Sequence, residues 1–324
     1  MKTQQRWALA LLALATLAAG HDAAFAAERF PLRPVRMVVP FAAGGPADFV
    51  ARLVSQKLSE VWGQPVVVDN RGGAGGNIGT ALVAKSAPDG YTMLLTTSVF
   101  ICNPSLYRET GYDPFKDFDP VTLTGVSGII VVRHPTFPAR SMKDIAQLAK
   151  SSSVNYASPG IGTAGHLAAD LFRTFAKVEL QQVPFKGAGP AVAAMLSGEV
   201  TLGFMAVPPS MPHVKSGRLA AIAVTSPKRL AELPDVPTVA ESGFPGFQVD
   251  NMYGLLVPKG TPPAIVRKIN ADTVRLLRQP DVASRLAAET FEVVADTPAE
   301  FARYLRAEYA KWAKVVKDTG ARVQ

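Results

Sequence analysis

Short apolar runs bounded by glycine, proline or aspartate alternate along this chain with longer stretches in which apolar residues recur at helical spacing. The first run, residues 35–41 (VRMVVPF), has strand character. It passes through Ala42-Ala43-Gly44-Gly45 into a stretch opening near Pro46, where Phe49, Val50, Leu53, Val54, Leu58 and Val61 share one helical face until Gly63 ends it. Strands are predicted again over 66–69 and, launched by the turn Pro88-Asp89-Gly90, over 91–96. After a crossing segment at 123–133 a second set begins, with strands over 154–157, 180–184, 201–205 and 219–224 and helices over 164–175 and 190–196. A Pro/Gly-rich stretch at 233–246 leads to a strand over 249–257. The last helix opens on Thr297-Pro298-Ala299-Glu300, a capping box with proline at its first position, and buries Phe301, Leu305, Trp312 and Val316.

Strand and helix in alternation predict parallel βαβ units, hence an α/β class. Two such sets joined by two crossings predict two lobes. Residues 27–126 begin the first lobe, 127–250 form the second, and 251–324 return to the first. The crossings near 124–127 and 250–254 are the expected hinges. With 324 residues, 48% of them hydrophobic, each lobe is long enough to bury its own core.

At the N-terminus, Lys2 and Arg6 precede an uncharged apolar run at 7–19 that is too short to span a bilayer. Ala24-Phe25-Ala26 then supplies small residues where signal peptidase reads, so residues 1–26 are expected to be a signal peptide cleaved after Ala26, with export to the periplasm. No later stretch is long and apolar enough to cross a membrane, and a transport function therefore requires separate membrane subunits. The single cysteine, Cys102, offers neither a disulfide nor a thiolate cluster. The net charge of +8 suits anionic small molecules. No basic run interleaves with aromatics, which argues against nucleic acid.

Several longer segments carry a resemblance: PVRMVVPFAAGGPADFVAR (34–52), GQPVVVDNRGGAGGNIG (63–79), APDGYTMLL (87–95), YASPGIGTAGHLAADLF (156–172), VPFKGAGPA (183–191), LPDVPTVAESGFPGF (233–247) and GLLVPKGTP (254–262). In wording and order the chain resembles the extracytoplasmic receptors of tripartite tricarboxylate transporters, the Bug family, over nearly all of its exported part. The resemblance implies a two-lobed periplasmic-binding-protein fold, type II-like, with a ligand cleft between the lobes. It also implies no enzymatic activity, no cofactor, and capture of a small carboxylic acid by a monomer that passes it to transporter membrane subunits. A periplasmic sensor or adaptor for signalling would use the same cleft.

The residues point to the same chemistry. Residues 41–48 and 157–166 are strand-to-glycine-rich-turn-to-helix passages, one per lobe, and a helix N-terminus presents unpaired N–H groups and positive dipole charge to an anion. The candidate ligand-binding residues are Phe41, Ala43, Gly44, Gly45 and Asp48 on the first turn and Ser158, Gly162, Thr163 and His166 on the second. Asp48 caps its helix or contacts ligand water. Ser158 and Thr163 offer hydroxyls, His166 braces the loop, and Lys186 could hold the far end of a diacid. The resemblance places Thr97, Ser98 and Asn103 in a loop at the cleft rim. Met205 and Val99-Phe100, if they face the cleft, make the distal end of the ligand apolar.

Enzyme readings fit poorly. Gly160-Ile161-Gly162-Thr163-Ala164-Gly165 has the spelling of a dinucleotide fingerprint, but no acidic residue ends the following strand at 180–184. The glycines of 71–79 lack that spacing. Gly125-Val126-Ser127-Gly128-Ile129 misses the last glycine of a hydrolase nucleophile elbow, and His134, His166 and His213 lack zinc spacing. No catalytic residue and no metal ligand is assigned; a secreted hydrolase using a serine and a histidine brought together in space stays open as the remote alternative.

Overall fold

The computed structural model describes residues 30–320. The expected export signal and its cleavage point lie outside these residues. Among the described residues ten strands and ten α-helices follow one another. The first group is β1 (Val35–Val39), α1 (Pro46–Trp62), β2 (Val66–Asn70), a 3-10 turn (Ala74–Gly76), α2 (Asn77–Ala84), β3 (Thr92–Thr97) and α3 (Val99–Leu106). The long strand β4 (Phe118–Arg133) leads to α4 (Met142–Ser151), β5 (Asn155–Ser158), α5 (Ala164–Ala176), β6 (Gln181–Pro184), α6 (Ala188–Ser197), β7 (Leu202–Ala206), α7 (Val207–Lys215) and β8 (Ala220–Val224). The chain returns through β9 (Asp250–Pro258), α8 (Pro263–Leu277), α9 (Pro280–Ala288), β10 (Phe291–Val293) and α10 (Pro298–Thr319).

The strand order β2-β1-β3-β9-β4-β7-β5-β6 runs through both lobes, with β8 and β10 also on β4. Pairing is parallel at β2-β1-β3 and at β7-β5-β6, as helical crossovers require, and antiparallel where β9 meets β3 and β4. Strand β4 belongs to both halves. Its residues 118–128 pair with β9, and Ile129 to Arg133 pair with β7 and β8. Pro120 stays in register opposite Leu256, and the register slips directly after it, between Pro120 and Thr122, an irregularity of the kind at which a strand carries proline.

Where β4 changes partners, one side chain ties the crossings together. The Thr225 hydroxyl accepts from Ile129 N–H (3.0 Å) and donates to the Val249 carbonyl, while Thr225 N–H donates to Ile129 O and Val249 N–H to Thr225 O. Each lobe buries its own apolar cluster. A third, larger cluster runs through both, from Phe100, Leu106 and Trp312 on one side to Leu167, Phe172 and Phe204 on the other. The capping box opens α10 as expected, with Thr297 and Glu300 satisfying each other's backbone N–H, and Phe301, Leu305, Trp312 and Val316 are buried.

One expectation is overturned. The residues after β3 form helix α3, not a rim loop, although Pro104 lies inside it. Proline cannot donate to the carbonyl four residues back, that of Phe100. The Tyr112 hydroxyl takes that carbonyl instead, at 2.9 Å, while its ring stacks on Phe100.

Candidate ligand-binding site

In the first lobe the turn from β1 to α1 stands at the carboxyl end of the sheet, with Ala42, Ala43 and Gly44 exposed and Gly45 half-buried at the helix N-cap. Gly44 needs its positive φ of 84°. Asp48 is buried, and one carboxylate oxygen accepts from Gly44 N–H (2.9 Å) and from Arg52 (2.9 Å). Asp48 thus fastens the turn from inside rather than reaching out of it. Burial pushes its carboxyl up, but the Arg52 guanidinium and the Gly44 N–H outweigh this and hold it below the usual carboxylate range.

A second feature of this wall was not singled out from sequence. The run Gly72-Gly73-Ala74-Gly75-Gly76 folds into a cradle beneath Phe41, and three of its glycines have φ between 63° and 124°. A Cβ on Gly72 would sit 3.4 Å from Ala42 N, and one on Gly79 would sit 2.5 Å from Arg71 O, so the backbones meet directly. Searching the run for dinucleotide spacing misses this; the legible signal was the glycine density, which allows left-handed turns and close backbone contact.

Thr97 ends β3, Ser98 follows it as the residue before α3, and both are buried. Ser98 Oγ accepts from Met252 N–H (3.0 Å) and donates to Asp250 O, fastening the returning crossing strand to the first lobe. Asn103, on α3, donates to Gly75 O (3.0 Å) and to Asn77 Oδ1 (2.7 Å), joining that helix to the cradle.

In the second lobe the loop between β5 and α5 is largely self-satisfied. The Ser158 hydroxyl is buried and exchanges contacts with Gly160 while accepting from Gln182 Nε2 (2.7 Å). Thr163 caps α5 through His166 N–H and donates to Gly160 O (2.7 Å). Gly162 N–H donates to His166 Nδ1 (3.1 Å), which leaves the ring proton on Nε2, 3.3 Å from Asp170. Arg173 closes the chain by pairing with Asp170 and Glu179. Burial lowers the His166 pKa; Asp170 opposes this and Arg173 adds to it. Ser158, Thr163 and His166 therefore build the loop, and their polar atoms point into it.

Of the remaining candidates, Phe41 lies half-buried over the cradle and Lys186 is exposed on the segment before α6. Met205 is wholly buried among Ile130, Ala157, Met195 and Val207, and Phe100 among Tyr112 and Phe118. Both are core, so the argument for an apolar distal end loses its two supports. The structure brings the second turn against the first lobe: Gly162 lies against Asn103 and Leu106 of α3, which starts where β3 ends beside β1. A crevice of about 170 Å³ lined by Tyr156, Ile161, His166, Asp170, Arg173, Leu180 and Gln182 lies elsewhere, at the edge strand β6 behind the loop. Within it Arg173 pairs with Asp170 at 3.0 Å, while Asp170 Oδ2 and Arg173 Nε are buried without a hydrogen bond. Among the described residues no group of three or more metal-ligating side chains comes together.

Comparison with known proteins agrees with this frame. A family profile described as "Tripartite tricarboxylate transporter family receptor" matches residues 50–321. Protein BugT of Bordetella pertussis (strain Tohama I) is 36% identical over 320 residues, covering 98% of each chain. Among solved structures, the periplasmic binding protein BugD shares 37% identity at a TM-score of 0.82, covering 91% of this chain and all of that one (100%). R. palustris Rpa4515 with adipate shares 35% identity at 0.84, covering 90% and 98%. MatC from Rhodopseudomonas palustris with bound malate shares 35% at 0.81, covering 89% and 100%. The chain belongs to the tripartite tricarboxylate transporter receptor family, and its α/β frame is that of the two-lobed periplasmic binding proteins.

Proposed function

We propose that the mature chain, released after Ala26, is a monomeric periplasmic receptor that closes its lobes on one small carboxylic acid and presents it to the membrane subunits of its transporter. The observation that carries this reading is the exposed turn Ala42-Ala43-Gly44 at the positive end of the 17-residue helix α1. With the Gly44 N–H spent on Asp48, the backbone N–H groups of Ala42 and Ala43, held by that fastened turn, are the donors proposed to bind a carboxylate with little loss of side-chain freedom. The second lobe contributes the stiffened loop 158–163, whose internal bonds fix its shape before ligand arrives. Its function is to cover the acid. The crossings at Ile129 and Val249, held by Thr225, serve as the hinge.

Malate and adipate, the acids in MatC and Rpa4515, share a terminal carboxylate and a short chain, which defines the class expected here. Lys186, whose neighbours Phe185 and Gly187 bond to Ser158 O and Pro159 O beside the loop 158–163, is the side chain assigned to a second carboxylate. Native mass spectrometry of the protein freshly purified from periplasm tests the reading. A displaceable small organic acid bound one to one is expected. A protein that carries none and takes up no dicarboxylate, hydroxy acid or aromatic acid from a panel refutes it.

A further inference from the structure

Asn103 sits at the seam between the lobes. Its side chain is fully buried, and its amide nitrogen is committed to Gly75 O and Asn77 Oδ1 on its own side. Its amide oxygen is also buried but has no hydrogen-bond partner. Facing that oxygen is Gly162 of the other lobe, so close that a Cβ there would lie 2.8 Å from Asn103 Oδ1 and 3.4 Å from Leu106 Cδ1. The Gly162 N–H, the donor nearest in sequence, is turned away to His166. With that N–H committed, Gly162 offers the Asn103 oxygen its Cα–H face and no hydrogen bond.

This contact spans the two lobes, Asn103 on one and Gly162 on the other. Once they part, the same oxygen is free to bond water. Each closing event strips an amide carbonyl of water and returns a C–H contact, a weaker partner than the bond lost. We propose that Asn103 is a positioning residue for closure: its stranded oxygen opposes closing of the empty cleft, and Gly162 is the residue that lets the lobes meet at all. The inference rests on the reading of the chain as a closing receptor and adds what sets its resting state. The imbalance shifts the open–closed ratio toward open by roughly tenfold.

The test is the distance between nitroxide labels on Lys85→Cys in the first lobe and Glu199→Cys in the second, both exposed, with Cys102 buried and left unlabelled. Spin–spin distances are measured on the ligand-free protein, so failure of any acid to bind leaves them interpretable. Asn103→Ala is expected to move the empty receptor toward the closed distance and, with malate or adipate as probe, to slow release and tighten binding about tenfold. Gly162→Ala is expected to move it toward the open distance. Gly217→Ala, at φ 72° with open space around it, controls for backbone strain and is expected to leave the distance unchanged. An unchanged or more open distribution in Asn103→Ala overturns the proposal, as does an unchanged or more closed one in Gly162→Ala. If Asn103→Ala does not fold, Gly162→Ala alone decides. Wild-type protein that binds neither probe would count against the choice of ligand class without touching the distances.

Discussion

His166 shows how much a single side chain carries beneath the second turn. Its neutral ring accepts the Gly162 N–H on one nitrogen and faces Asp170 with the other, and burial keeps its pKa below that of an unfolded histidine. The sign follows from linkage. Between the two values the unfolded chain binds the proton and the folded chain does not. The contribution to stability is thus fully present above about pH 6.5 and is lost as pH falls toward the folded value. Thermal melts between pH 7 and pH 5 should show the midpoint falling. His166→Gln, whose amide oxygen can still accept from Gly162, should show a smaller fall; an equal fall in both would remove His166 from the account. The groups around it that could blur the measurement are Asp170, Arg173 and Glu179 on the same side and Tyr156 on β5, and only Glu179 is well exposed.

Helix α3 is the element whose stability depends most on one outside group. Pro104 leaves the Phe100 carbonyl without its helical donor, and the buried Tyr112 hydroxyl supplies one. Tyr112→Phe should cost about 1–3 kcal/mol, the range for stranding a buried carbonyl, read as a lower urea midpoint at unchanged slope. Little or no loss would mean that water replaces the hydroxyl. The same element marks where sequence reasoning stopped short. Strands β1 to β3 and β5 to β9, helices α1, α5, α6 and α10, and both glycine turns were legible, because each is announced by apolar period, glycine punctuation or a capping box. Helix α3 was not. Val99 to Cys102 are apolar on every side, so no helical face stands out, and Pro104 reads as a breaker unless Tyr112 is known to lie near it. The site was legible as two turns. What could not be read was the direction of their polar atoms: Asp48, Thr163 and His166 turn onto the local partners Arg52, Gly160 and Gly162, three or four residues away, once each turn takes its shape, and Ser158 meets Gln182, 24 residues on, only through the pairing of β5 with β6.

For the whole molecule the decisive feature is a continuous strand system that changes partners at one place. Thr225 bonds to both crossings there, and replacing its hydroxyl with a methyl at nearly the same shape leaves Ile129 N–H and Val249 O unpaired. Thr225→Val should destabilise the chain by about 1–3 kcal/mol and raise hydrogen exchange at the Ile129 amide, while the amides of β1 and β3 keep their protection. A uniform rise across all strands would place the weakness in global stability rather than at the hinge. The larger claim is that the lobes close on a carboxylate. Small-angle X-ray scattering of the mature chain, titrated with a panel of short mono- and dicarboxylic acids and their matching amides, tests it most directly. At least one acid should shrink the radius of gyration saturably, and its amide should not. A radius that no acid changes, or that amides change equally, would contradict the account.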